Sequence, residues 1–310
     1  MEEIQEKAVR VSAVVVSHNS ATALRTCLQA LERSQDRQQL EILVVDCGSR
    51  DESPHLDAEF PNAQFLRLPR HFGFTKARNI AIRTAAGGFI FFLDPEVEVA
   101  PSTISTLAAH LESDADAAAV CPFLFDPAGQ PIAGLYDLPT PRTISRAWRQ
   151  DCFGEPRTVL AGGSPIDVEH APIAALMVRT YFIKGINYLD QRFPHSWADT
   201  DLCFQIWRAS KKIRLLPEAR VVWYRDKNAV RSLESGARAL LSSDYALGAA
   251  AFTAKYSGLL AGTRARLGLL WNALGRALGA FLRARDVGYN FSRLSDLLSG
   301  RRLDGTQREF

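Results

Sequence analysis

Residues 11–16 form a nearly unbroken apolar, mostly β-branched run, and after Ser20 the apolar positions change spacing to Leu24, Cys27, Leu28 and Leu31. The first pattern predicts a strand buried on both faces, and the second a helix with one apolar face that Ser20 can cap. The alternation repeats. Residues 41–45, 63–68 and 89–93 read as further strands, and 75–86 as a helix closed by Gly87-Gly88. A helix near 102–111 and a strand near 119–125 follow. The proline- and glycine-rich stretch 126–165 then predicts a long irregular excursion, with Arg146-Ala147-Trp148-Arg149 as a binding loop. Pattern resumes at 174–179. A helix starting near Asp199 carries Leu202, Phe204, Ile206 and Ala209, a strand covers 220–224, and from 232 onward the chain reads as almost wholly helical. No internal repeat is visible.

Strands alternating with helices predict an α/β architecture with a mostly parallel sheet flanked by helices. In such sheets ligands bind outside the carboxyl ends of the strands. The polar residues that end them, Ser17-His18-Asn19, Asp46 and Asp94, are therefore expected around one crevice.

Composition narrows the class. The 310 residues are 47% hydrophobic and 23% charged with a net charge of +3, which suits a globular chain and gives no case for nucleic-acid binding. The five cysteines, Cys27, Cys47, Cys121, Cys152 and Cys203, include no C-x-x-C pair, so neither a disulfide framework nor a zinc site is expected. The acidic opening, Met1 to Glu6, lacks the basic and apolar regions of a signal peptide, and arginines interrupt every apolar stretch near the C-terminus. A cytoplasmic protein is expected.

The chemistry lies at the strand ends. Leu93-Asp94-Pro95-Glu96 puts two carboxylates one residue apart, able to ligate a divalent cation that bridges nucleotide phosphates, or merely to sit as acids in a solvated turn. Asp46 can cap the turn at Gly48 and Ser49. Arg78 can lie on a solvated helix face. Asp199, near a helix N-terminus, can act as a general base or serve only as a cap. His18, His71, His110 and His195 show no metal-ligand spacing.

Taken in order, Val14-Val15-Val16-Ser17-His18-Asn19, Val44-Val45-Asp46-Cys47-Gly48-Ser49-Arg50-Asp51, Phe72-Gly73-Phe74-Thr75-Lys76-Ala77-Arg78-Asn79 and Phe92-Leu93-Asp94-Pro95-Glu96 resemble the successive signatures of family-2 glycosyltransferases. Leu189-Asp190-Gln191-Arg192-Phe193, Trp197-Ala198-Asp199-Thr200-Asp201-Leu202 and Pro217-Glu218-Ala219 resemble that family's acceptor-side, catalytic and following-strand segments. The resemblance covers about residues 10 to 225. It implies a GT-A fold in residues 1–228 with a helical C-terminal extension over 229–310. It further implies transfer of a sugar from a nucleoside-diphosphate sugar, a UDP- or dTDP-sugar, to a hydroxyl on a glycan or lipid-linked sugar, with inversion. Rhamnosyl transfer is consistent with the resemblance alone. Under it, Ser17, Asn19, Asp46, Arg78 and Asp94 bind the donor, Asp94 and Glu96 hold Mg²⁺ or Mn²⁺, and Asp199 is the catalytic base.

Three positions depart from the family pattern: Glu96 stands where the second metal acid is usually Asp, Ala198 where an acid usually precedes the base, and Trp223 where a histidine is common, with Arg225 nearby. These departures leave open a non-catalytic sugar-nucleotide- or glycan-binding protein. A nucleotidyltransferase is the third reading.

Residues 262–286 place Leu267, Leu270, Trp271, Leu274, Leu278 and Phe281 on one helical face, with Arg264, Arg266, Arg276, Arg283 and Arg285 among the flanks. Such a helix suits the inner face of a cell membrane, or packs its stripe on the domain or on a second subunit of a homodimer.

Overall fold

The computed structural model describes residues 10–132, 137–140, 144, 163–224 and 233–303. Its centre is a nine-stranded mixed sheet in the order β3-β2-β1-β4-β8-β6-β9-β5, with β7 paired to β9. The strands are β1 Val11–Ser17, β2 Leu40–Asp46, β3 Ala63–Arg67, β4 Phe89–Leu93, β5 Val97–Val99, β6 Ala117–Phe125, β7 Ile166–Val168, β8 Ala175–Arg179 and β9 Lys212–Trp223. The helices are α1 Ala21–Glu32, α2 Phe74–Thr84, α3 Thr103–Ser113, α4 Thr180–Gly185, α5 Ala198–Arg208, α6 Ser235–Ser257, α7 Leu259–Leu282 and α8 Val287–Ser299.

The apolar runs of β1, β2 and β4 are continuous because these strands are buried on both faces. Along β1, Val11, Ala13 and Val15 enter the core shared with α1 and α3, while Val14 and Val16 enter the core shared with α2 and α5. The same alternation divides Ile42 and Val44 from Leu43 and Val45, and Phe91 and Leu93 from Ile90 and Phe92. Continued to the strand ends, it directs Asp94 toward the α2 and α5 side, and Ser17 and Asp46 toward the α1 side.

The first four strands are parallel, as expected. Beyond them the sheet is mixed: β8 runs antiparallel to both β4 and β6, and β5 and β7 run antiparallel to β9. A strand buried on both faces has the same apolar content in either direction, so strand orientation was not readable from pattern. The short β5 and β7 were not anticipated, and β9 begins at Lys212, well before the expected start at 220.

Two helix ends differ from expectation. Ser20 stands at the N-cap of α1 but makes no side-chain capping bond there. Helix α2 stops at Thr84, before Gly87-Gly88. Gly87 instead lets two backbones meet, since a Cβ there would lie 2.6 Å from the Ser12 amide nitrogen. The four described cysteines are buried free thiols, and Cys152 lies outside the described residues.

The C-terminal helices pack on one another through Ala246, Leu247, Ala250, Ala265, Leu269, Ala273 and Leu297. Helix α6 also packs on the sheet-bearing part, where Phe193, Trp197, Ala198, Ala249 and Phe252 share a cluster. The expected division near residue 228, Arg225 and the expected loop at Arg146 to Arg149 all lie outside the described residues. Among the described residues no helix is long and apolar enough to cross a membrane.

Candidate active site

Parallel register aligns the strand ends that carry the polar residues. Ser17 is level with Asp46, and Val15 is level with Leu93, so Asp94 emerges beside them. Asp46 is only 2% exposed. Its Oδ2 accepts hydrogen bonds from the Gly48 and Ser49 amides, both at 3.1 Å, while Oδ1 is buried with no hydrogen-bond partner among the described residues. One oxygen therefore caps the turn, as the plainer reading of the sequence expected, and the other retains acceptor capacity.

Ser17 and Asn19 organise the neighbouring loops. Ser17 Oγ lies 2.8 Å from Ser20 Oγ, toward α1. Asn19 has a positive φ of 50° and ties two loops together: its Oδ1 accepts from the Arg50 amide, and its own amide donates to Ser49 Oγ.

Arg78 holds the middle of the crevice. It sits in the second turn of α2, not on a solvated face: it is buried, and Nη2 donates to Asp94 Oδ1 at 3.0 Å. Asp94 is partly exposed, and Glu96, two residues on, is exposed. Among the described residues no three His, Cys, Asp or Glu side chains gather as a metal site. Asp94 and Glu96 lie two residues apart on one strand-end turn, and carboxylates are the residue type that could ligate Mg²⁺ or Mn²⁺ with nucleotide phosphates and water completing the shell. Lys76 is exposed and lies over the Phe72 ring at 4.5 Å.

Asp199 approaches from α5. Trp197, with φ of 73°, is the N-cap residue and turns the chain so that Ala198 and Asp199 open the helix. The Asp199 carboxylate accepts the Thr200 amide at 2.7 Å, and His170 Nε2 lies 3.8 Å from its other oxygen. Burial works to raise the Asp199 pKa. The His170 contact, the Thr200 amide and the Arg78 charge outweigh it, holding the carboxyl below the ordinary aspartate value. Arg78 thus acts electrostatically on both Asp94 and Asp199.

Several residues at this end of the sheet were not singled out in the sequence. His71 lies edge-on to His18 at 4.8 Å and stacks on His195 at 5.2 Å. Burial and the two neighbouring imidazoles push His71 down to about 4, and its Nδ1 accepts the Gly73 amide. His170 and Lys255 were also missed. Lys255 Nζ reaches Asp201 Oδ1 at 2.6 Å and Asp190 Oδ2 at 2.8 Å, and Tyr256 Oη donates to the same Asp201 oxygen at 2.7 Å. Burial works to raise the Asp190 pKa, but Arg192 and Lys255 hold it well below the carboxylate range.

Two of the three departures, Trp223 and Ala198, have packing causes. Trp223 is in the core and pairs with Val97 across β5 and β9, and Ala198 is buried among Ala249 and Phe252, where an acid would lose its hydration. Trp197 is core as well. Its indole donates to the Tyr245 carbonyl at 2.9 Å, and a Cβ at Gly248 would lie 2.5 Å from its ring.

The sequence profile described as "Glycosyl transferase family 2" matches residues 12–159, a span that includes Ser17, Asn19, Asp46, Arg78, Asp94 and Glu96. Residues 12–159 are thus similar to glycosyl transferase family 2. The chain is 26% identical over 214 residues to the pre-mycofactocin glycosyltransferase of Mycobacterium tuberculosis, covering 68% of this chain and 42% of that protein. An N-acetylglucosaminyltransferase of Sinorhizobium fredii is 28% identical over 116 residues, covering 36% of this chain and 28% of the other. The chain therefore spans less than half the length of these relatives. Among solved structures, S. aureus TarS 1-349 in complex with UDP is similar with a TM-score of 0.56 at 16% identity, covering 96% of this chain and 95% of that one. The mannosyltransferase PcManGT from Pyrobaculum calidifontis, in complex with GDP-Man and Mn²⁺, has a TM-score of 0.57 at 16% identity, covering 94% and 88%. These likenesses establish a shared GT-A fold.

Proposed function

We propose that this chain transfers a sugar from a nucleoside-diphosphate sugar to a hydroxyl group, with inversion at the anomeric carbon. One observation carries the reading: buried Arg78 hydrogen-bonds Asp94 at the strand ends, and its charge helps to hold the Asp199 carboxyl at the start of α5 below the ordinary aspartate value. The family match of residues 12–159 supports the donor class, and the UDP, UDP-GlcNAc and GDP-Man of the similar solved structures are all nucleoside-diphosphate compounds.

In this reading the acceptor hydroxyl gives its proton to Asp199, and its oxygen attacks the anomeric carbon. The bond from that carbon to the diphosphate oxygen breaks, and the diphosphate leaves with the electron pair. Arg78 stabilises the developing charge. Asp46, through its remaining oxygen, receives a hydrogen bond from the nucleoside, and Ser17 and Asn19 hold the loops around it. Asp94 and Glu96 would hold Mg²⁺ or Mn²⁺, which supplies charge neutralisation of the diphosphate. The acceptor class is a glycan or lipid-linked sugar.

The test is release of nucleoside diphosphate by the full chain. It is given UDP-, dTDP- and GDP-sugars with a mixture of glycan and lipid-linked acceptors, with Mn²⁺ or with chelator. Divalent-dependent release that Asp199→Asn abolishes supports the proposal. Binding without turnover supports a non-catalytic binder, and release of pyrophosphate when a nucleoside triphosphate and a sugar 1-phosphate are supplied instead supports a nucleotidyltransferase; either result overturns it.

A further inference from the structure

Helix α7 wears its apolar residues the wrong way round for a helix of a water-surrounded bundle. Its inner face is made of small residues, with Ala265, Ala273, Ala277 and Ala280 buried beside Leu269. Its outer face carries Leu260, Leu267, Trp271, Leu274, Leu278 and Phe281, all exposed; Trp271 is 78% exposed, Phe281 66% and Leu267 61%. At 3.6 residues per turn these six fall within an arc of about 80°, on a helix about 36 Å long. The packing alternative expected the stripe to lie against the domain. The alanines occupy that side instead.

We propose that this outer face docks on an anionic lipid surface, with α7 lying in the boundary between headgroups and acyl chains. Charge selects that occupant. The stretch from Leu259 to Arg285 carries Arg264, Arg266, Arg276, Arg283 and Arg285 and no acidic residue. Arg264 lies on the edge of the apolar arc, and Arg264, Arg266, Arg283 and Arg285 are exposed. A large apolar stripe flanked by arginines, with a tryptophan at its middle, is the composition that binds a bilayer interface carrying negative charge. A second copy fits less well, because a two-fold contact through the same patch sets arginine-rich flanks against one another with no acid on the helix to answer them. The helix does not span, since none of the described helices is apolar enough to do so. The inference stands apart from the transfer chemistry and does not rest on it.

The test is co-sedimentation of the full chain with vesicles of phosphatidylcholine alone and of phosphatidylcholine with phosphatidylglycerol. Binding is expected to the anionic vesicles, to weaken with added salt, and to fall at least about tenfold in Trp271→Gln/Leu278→Gln. Both positions are exposed, so thermal melting should show that variant folded. Arg264→Gln/Arg266→Gln/Arg285→Gln should abolish the preference for anionic vesicles. Three results overturn the proposal: no binding to either vesicle, undiminished binding by the folded double variant, or a dimer of the full chain that the double variant dissociates.

Discussion

Lys255 Nζ lies 2.6 Å from Asp201 Oδ1, so a lysine on α6 neutralises a nearly inaccessible carboxylate on the helix that opens with Asp199. Asp190 and Tyr256 join the same cation and the same oxygen, closing a small network between α6 and the loop before α5. Lys255→Met should leave Asp201 buried without its cation, a change that typically costs about 3–5 kcal/mol. Urea unfolding of the full chain would measure it. A loss below about 1 kcal/mol would show that the network contributes little.

Asp199→Asn should reduce nucleoside-diphosphate release by roughly 10²- to 10⁴-fold while leaving donor affinity nearly unchanged. Asparagine keeps an oxygen for the Thr200 amide, so the helix start should survive. Turnover and calorimetric donor binding, measured on the same preparation, separate the two effects. Near-normal turnover would move the base elsewhere.

Asp94→Ala should abolish divalent-dependent donor binding and also release Arg78 from its 3.0 Å partner. Arg78→Met should weaken donor binding with or without the cation, because its charge addresses the diphosphate directly. Titration calorimetry with Mn²⁺ and with chelator distinguishes them. Equal loss in both media for Asp94→Ala would count against a metal role.

Stability should fall as the medium is acidified, and His71 supplies a defined part of the fall. Its folded pKa, about 4, lies below the ordinary 6.5, so the unfolded chain binds the proton more tightly. Stability from this group is therefore complete above about pH 6.5 and is lost as pH falls toward 4. In His71→Phe the urea midpoint should vary less with pH across that window. An unchanged slope would mean that His71 is not held neutral by its surroundings.

Much of the frame could be read from local pattern. The unbroken runs of β1, β2 and β4 are apolar because each strand faces two cores, and the polar residues that stop them mark the ligand-binding end of the sheet. The helix face of α1 followed from three- and four-residue spacing, which depends only on the chain's own geometry, whereas of the residues expected on α5 only Leu202 and Ile206 lie on its buried face. Asp94 and Asp199 could thus be nominated from residue type and position, and Asp46 and Arg78 with the family resemblance beside them.

Other features were decided only when distant segments met. The antiparallel setting of β8 is invisible in a run buried on both sides. His170 reaches Asp199 across 29 positions of sequence and Lys255 reaches Asp201 across 54, contacts that no periodicity encodes. The orientation of α7 is the clearest case. A helix with small apolar residues on one side and large ones on the other has two faces that could be buried. The close approach of α6 and α8 selects the small one: at Gly262 even a Cβ would lie 2.4 Å from that of Ala254. Periodicity located both stripes, but only the available space between packed helices settled which of them turned outward.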